Sequence, residues 1–246
     1  MPGLSLAVRS LTVRVRAFAL LACLAMAAQP AEAQRTGSRI GHTAEHASPK
    51  DAAAAIQIMA NCLGDRRPDF ARRWLRLLPG TREERELILA EEPDLSICMD
   101  DPLLVMDGKE LRLQPHTLRL PTARAMVRKM LSRAPRQSPL PPQSDPWFLP
   151  QLAALPAGAG VDRAALGFQD FGHCVAVNSW PASIALLASE PDSPAQAAAI
   201  RQLMPVLGPC LSDDVKITLT PANLRDVLAE PVYHILAAPD AAAVKP

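Results

Sequence analysis

After residue 28 the sequence has no apolar run approaching the roughly 20 residues of a transmembrane helix, so no helical span is expected beyond that point. An excess of charge of one sign is missing too, with 26 Lys and Arg against 25 Asp and Glu. That balance excludes a global attraction to nucleic acid or to an anionic membrane surface, and no nucleic-acid partner is expected. Glycine is sparse at 11 residues, and none stands in a phosphate-cradling loop. Serine-hydrolase elbows, haem-attachment sites and zincin patterns are absent as well. These gaps weigh against an enzyme without excluding one, and no catalytic residue, cofactor or metal ligand is assigned.

What is present begins with an export signal. Arg9, Arg14 and Arg16 precede Ala17 to Ala28 (AFALLACLAMAA), an uncharged stretch too short to span a bilayer, and Ala31-Glu32-Ala33 offers a small-residue cleavage site before Gln34. A signal peptide over 1–33 is therefore expected, and with it a periplasmic or secreted protein. A lipid anchor at Cys23, after Leu20-Leu21-Ala22, is the competing reading, but the apolar region before Cys23 is short for it. Cleavage after residue 33 removes three arginines and Glu32, leaving 23 basic and 24 acidic residues.

The mature part carries Cys62, Cys98, Cys174 and Cys210, with 36 residues separating each successive pair. An even count in an exported chain points to disulfides. Three pairings are possible. Comparing each position with the one 112 residues later superposes both cysteines, Leu75 on Leu187, Pro79 on Pro191, Thr81 on Ser193, Ile88 on Ile200 and Asp101 on Asp213. Beyond the second cysteine the offset becomes 106, laying LQPHTLR (Leu113 to Arg119) over LTPANLR (Leu219 to Arg225). Two related units follow, and a unit duplicated whole favours Cys62 with Cys98 and Cys174 with Cys210.

Local signals make each unit mainly helical. Ser48-Pro49 starts a first helix, Phe70, Trp74 and Leu77 recur at helical spacing over Asp69 to Leu78, and Thr81 with Glu84 forms a capping box repeated by Ser193 with Gln196. Lys109 to Leu113 (KELRL) and Val215 to Leu219 (VKITL) alternate as strands do, which suggests one short β-strand per unit, paired across a pseudo-twofold axis. Final helices are expected near Pro121 to Ser132 and Pro221 to Leu236, with Pro231 kinking or interrupting the second. The chain thus divides into a signal peptide at 1–33, a flexible leader at 34–47, a first unit at 48–133, an extended Pro-rich linker at 134–161, a second unit at 162–238 and a flexible tail at 239–246. In the linker, Trp147, Phe148, Leu149 and Leu152 are expected to pack onto a unit.

Four constellations stand out. Arg66, Arg67, Arg72, Arg73 and Arg76 form a candidate interaction strip, although Glu83, Glu84, Glu86, Glu91 and Glu92 follow closely and can neutralise it as an ordinary solvated face. Asp101 with Arg119 and Asp213 with Arg225 form a repeated candidate structural pair. His42 and His46 have the spacing of a helical metal pair but lack a third ligand. His173 beside Cys174 invites a thiol enzyme, yet adjacent residues point apart and a disulfide accounts for Cys174. The first unit carries 14 basic and 12 acidic residues over 52–135, the second 4 and 8 over 162–237, so the copies differ in surface charge.

The second copy reads FGHCVAVNSWPASIALLASEPDSPAQAAAIRQLMPVLGPCL, then LTPANLRDVLAEPVYHIL. With its GxCV opening, ALL..EP.S centre and LR..LAE..Y close, it resembles a family of uncharacterised exported proteins of Gram-negative bacteria. The resemblance covers 168–236, is weak over the first copy, and implies an exported disulfide protein without an assigned catalytic residue. The function expected is a non-enzymatic scaffold binding an unknown protein or envelope component. An envelope-associated hydrolase with its site between the units, or a small-ligand or metal carrier, is the alternative. A cleft lined by converging polar side chains would favour the hydrolase.

Overall fold

Short polar side chains at the chain's turns set where its helices begin. The computed structural model describes residues 48–98, 115–133, 145–211 and 218–243. Helix α1 (Pro49–Arg66) starts where Ser48 Oγ accepts from the Asp51 amide at 3.2 Å, and proline fills the first position, whose N–H would have no helical partner. Helix α2 (Pro68–Leu75) follows after Arg67 alone. Helix α3 (Arg82–Leu95) opens on the capping box: Thr81 Oγ1 accepts from the Glu84 amide at 3.3 Å, and Glu84 Oε2 accepts from the Gly80 amide at 2.6 Å. A 3₁₀ turn, Ser96–Cys98, extends it.

A second 3₁₀ turn, Pro115–Leu118, leads into α4 (Arg119–Arg133). Beyond α5 (Leu149–Ala154), the helices are α6 (Arg163–Asn178), α7 (Trp180–Ala188), α8 (Pro194–Cys210) and α9 (Pro221–Ala243). The α8 start reproduces the α3 start in detail. Ser193 Oγ accepts from the Gln196 amide at 3.1 Å, and Gln196 Oε1 accepts from the Asp192 amide. Gly80 and Asp192, 112 positions apart, both have positive φ, +78° and +56°. Gly80 has no substitute there, because a Cβ would lie 2.6 Å from the Asp162 amide nitrogen.

Disulfides join Cys62 to Cys98 and Cys174 to Cys210, each with Cα atoms 5.6 Å apart. The first ties α1 to the turn after α3, and the second ties α6 to the end of α8. Of the three possible pairings, this is the one that equal spacing favours.

Helices α4 and α9 pack along each other, with α1 against α4 and α6 against α9. Both halves build the largest core: Leu75 and Val127 from the first meet Phe171, Val175, Leu187, Leu203, Leu228 and Val232 from the second, all 2% exposed or less. The described residues therefore belong to one compact unit, Thr43–Pro246. Around Cys62–Cys98 the first half keeps a smaller core of Leu63, Phe70 and Trp74.

Several expectations meet the structure here. No strand occurs among the described residues; Lys109 to Leu113 and Val215 to Ile217 lie outside them, and Thr218 and Leu219 carry no regular structure. Among the described residues the halves meet through the apolar faces of α4 and α9. The linker is not extended throughout, since Pro150 sits in the first turn of α5, where it is compatible with a helix. Phe148 packs with Leu78 and Leu166, and Trp147 and Leu152 lie against them, whereas Leu149 is exposed.

Pro231 does not interrupt α9, and the helix continues past residue 238 to Ala243, into the segment expected as a tail. A proline leaves the carbonyl four residues earlier, here Val227, without its helical donor. Gly172 of α6 lies against that carbonyl; a Cβ on Gly172 would be 2.3 Å from Val227 O and 3.1 Å from Pro231 Cγ. Absence of a side chain at 172 thus lets α6 close over the turn of α9 that Pro231 leaves without a donor, and the close approach permits Cα–H···O contact with the freed carbonyl.

Candidate functional site

The first residue of α4, Arg119, is 4% exposed and tied to three other helices. Its Nη1 donates to Glu84 Oε1 at 2.6 Å, and its Nη2 to Glu230 Oε1 at 2.6 Å and to Leu77 O at 2.7 Å. Nε donates to Glu230 at 3.0 Å, and longer bonds reach the carbonyls of Trp74 and Leu75 at 3.3 Å. A planar fork of five N–H groups is what this arrangement requires: it closes the C-terminal carbonyls of α2 while pairing with a carboxylate from α3 and one from α9.

The two glutamates are equally committed. Glu84 Oε1 also accepts from Trp74 Nε1 at 2.8 Å, with Oε2 on the Gly80 amide. Glu230, fully buried, accepts from Gln169 Nε2 at 2.6 Å. Gln169 Oε1 accepts in turn from Trp147 Nε1 at 3.4 Å, and the Trp147 ring stacks on His234 with centroids 3.8 Å apart. His234 Nε2 lies 3.9 Å from Glu230 Oε1.

This network floors a cleft of about 470 Å³ between α3 and α4 on one side and α6 on the other. Burial sorts its lining into three tiers. Glu84, Arg119, Gln169 and Glu230 are buried at the base; Ile88, Leu120, Ala165 and Phe168 form half-buried apolar walls; Arg85, Leu89, His116 and Asp162 are exposed at the rim. Such a volume with apolar walls is typical of small-molecule sites. No protein-family model, curated protein or solved structure matches the chain. The cleft must therefore be read from its own chemistry.

Burial alone would raise the Glu230 carboxyl, but the Arg119 guanidinium and then His234 override it and hold the group below its ordinary value. Burial pushes His234 down, so the ring is neutral at pH 7. Two carboxyl groups, from Glu84 and Glu230, thus share the single guanidinium of Arg119. Each carboxylate oxygen already has a donor, so neither glutamate is poised as a general acid or base.

His234 has a testable consequence. Its folded value lies below that of the unfolded chain, about 6.5, so the unfolded state takes the proton first as pH falls. Stability is full above that pH and is lost on descending toward the folded value. Between pH 7.5 and 5.5 the melting temperature of the wild type should fall more than that of His234→Phe, which keeps the stack on Trp147. Parallel curves for the two proteins would exclude His234 as the source.

The sequence candidates fare differently. Arg67 and Arg73 both pair with Glu91, and Arg72 donates to Asp69 at 2.5 Å, so these three members of the strip are engaged with carboxylates of their own half. Arg66 and Arg76 are exposed on the same half. Asp101 and Asp213 lie outside the described residues, as do His42 and His46. Arg119 has different partners from the one expected, because Glu84 and Glu230 occupy its fork. Arg225 donates through Nη2 to Ser189 O and to Ser189 Oγ, at 2.7 Å for the latter, and so closes the end of α7 as Arg119 closes α2. Burial and then Arg124 lower the Arg225 value; Arg124 itself pairs with Asp226 at 2.8 Å.

Gln169, Glu230, His234 and the cleft walls escaped the sequence reading. Glu84 had a local signal, the capping box. Glu230 sits 111 positions from Arg119 and has none. A second, more open cavity of about 570 Å³ between α1 and α4 is lined by Asn61, Asp65, Arg128 and Lys129. Lys129 is already engaged there with Gly64 O at 2.9 Å and Asp65 at 3.2 Å.

Proposed function

We propose that the protein is an exported, disulfide-stapled binding protein, built from two copies of one helical unit, that holds its ligand non-covalently in the cleft above Arg119. Export is supported by the arginine-flanked apolar run Ala17 to Ala28 and by two disulfides, which belong to oxidising compartments. Duplication is supported by the recurrence of α1 to α4 in α6 to α9 and by the matching caps at Thr81 and Ser193. It agrees with the resemblance of the second copy to exported Gram-negative proteins.

The observation that carries the binding reading is the state of the polar groups at the base. A cleft between the halves with converging polar side chains is what a hydrolase would need. Here, however, those side chains satisfy one another, and the surface left for a ligand is the apolar wall of Ile88, Leu120, Ala165 and Phe168. The cleft thereby favours the carrier among the sequence-based alternatives, and it gives the scaffold reading a definite surface.

A thermal-shift screen of small apolar and amphipathic molecules on the full mature chain tests this. A ligand at about 100 times its Kd should stabilise the wild type by roughly 2.7 kcal/mol. Ala165→Phe, which fills the wall tier, should fold and lose that stabilisation. Stabilisation that survives Ala165→Phe would move binding elsewhere. Saturable turnover of p-nitrophenyl esters that disappears in Glu230→Gln would replace a binding protein with a hydrolase.

A further inference from the structure

We infer that the ligand is a single-chain anionic amphiphile, held with its aliphatic body between α3 and α6 and its head group at the rim beside Arg85 and His116. The inference rests on the cleft being the binding site and follows from the order of its tiers. The wall has only hydrocarbon to offer, from Ile88, Leu120, Ala165 and Phe168, so it selects an apolar body. Leu89 continues this wall to the lip, 67% exposed on a helix otherwise rich in Arg and Glu. An isolated exposed leucine is ordinary, but one continuous with a half-buried apolar wall lengthens the surface available to a chain.

Charge then fixes the orientation. The base has two carboxylates and one guanidinium in a dry setting, and an anionic head inserted first would meet it unpaired. At the rim a cationic donor faces solvent. Arg85 uses Nη1 on Gly80 O at 2.6 Å, which leaves the rest of its fork facing solvent, and His116 adds a ring donor. Asp162 is the exposed carboxylate of the rim, and its Oδ1 accepts from the Ala165 amide at 2.9 Å as the cap of α6. An anionic head at the mouth therefore finds one guanidinium and one imidazole against one carboxylate that is already hydrogen-bonded.

A zwitterion or a cation would gain less at this rim. A cationic head is drawn instead toward the base, where it would find no carboxylate oxygen without a donor. A neutral alcohol of the same chain length would use the wall but gain nothing from Arg85. Chain burial thus supplies the affinity common to all of them, and the rim supplies the preference for the anion.

Isothermal titration calorimetry of the full mature chain with decanoate, decanol and decylammonium, each below its micellar concentration, tests the inference. Decanoate should bind about tenfold more tightly than decylammonium, with one site per chain. Arg85→Glu, at an exposed position, should weaken decanoate about tenfold and leave decanol unchanged, and His116→Asp should act in the same direction. Ala165→Phe should remove binding of all three. Tighter binding of decylammonium, or an Arg85→Glu protein that binds decanoate as the wild type does, overturns the anionic head group while leaving the cleft as the site. No binding of any of the three overturns the amphiphile. If the thermal-shift screen also yields no ligand sensitive to Ala165→Phe, the cleft itself is overturned.

Discussion

Arg119→Met should destabilise the protein by about 4 kcal/mol, the largest single-residue effect in the molecule. Methionine keeps much of the side-chain volume but supplies none of the five donors. Glu84 and Glu230 would then face each other's charge in a region where Arg119 and Glu84 are about 5% exposed and Glu230 is fully buried. The carbonyls of Leu75 and Leu77 at the end of α2 would also lose their partner. In urea the midpoint should fall with the slope unchanged, and the melting temperature should drop by roughly 8 to 16 °C for a chain of this size. Arg67→Ala provides the contrast. Its partner Glu91 lies on a partly solvated face, so its effect should stay within about 1 kcal/mol.

Adding Glu230→Leu to Arg119→Met separates the charge from the packing. If the main cost is an orphaned buried carboxylate, the double variant should be more stable than Arg119→Met alone, because an apolar pair can replace a buried ion pair. A double variant that is less stable by the sum of two independent losses would mean that the hydrogen bonds to α2 and Gln169 dominate. An Arg119→Met loss below about 1 kcal/mol would show that the network is not a keystone at all.

Much of this fold was legible because its signals are local or periodic. Ser48, Thr81 with Glu84 and Ser193 with Gln196 cap helices through bonds spanning three residues, which a sequence displays directly. Equal intervals of 36 residues carried the disulfide pairing. Proline misled twice, in opposite settings. At Pro150 it occupies the first turn of α5, where no bond is lost; at Pro231 a bond is lost, and Gly172 on another helix makes the loss tolerable. The second case depends on a neighbour 59 positions away, beyond any local rule.

Alternation in KELRL and VKITL suggested strands, and all of the first segment and most of the second lie outside the described residues. Here the halves bury their apolar faces through α4 and α9. The cleft was least legible, since its base joins residues of α3, α4, α6 and α9. Arg119 was singled out through its alignment with Arg225, yet its partner was expected in the nearer Asp101. Only the folded arrangement brings Glu230 to it.

Reduction of both disulfides should bring the protein close to unfolding at 37 °C. Each bond closes a 36-residue loop, worth about 4 kcal/mol in the chain-entropy model, and the two together rival the 5 to 15 kcal/mol of a typical domain. The bonds should not fail together. Cys62 and Cys98 are 6% and 0% exposed within the core of Leu63, Phe70 and Trp74, whereas Cys174 and Cys210 are half-buried, with Asn178 Nδ2 3.5 Å from Cys174 Sγ at the surface. Attack by a thiolate needs access to sulfur. In graded dithiothreitol followed by alkylation and peptide mass mapping, Cys174 and Cys210 should label first, with a partial fall in melting temperature. Cys62 and Cys98 should label only as the helical signal collapses. Likewise Cys62→Ala with Cys98→Ala should cost more than Cys174→Ala with Cys210→Ala, since the first pair also loses core packing. Simultaneous labelling of all four cysteines would overturn this order, and an unchanged melting temperature in full reductant would show that helix packing rather than the two staples sustains the fold.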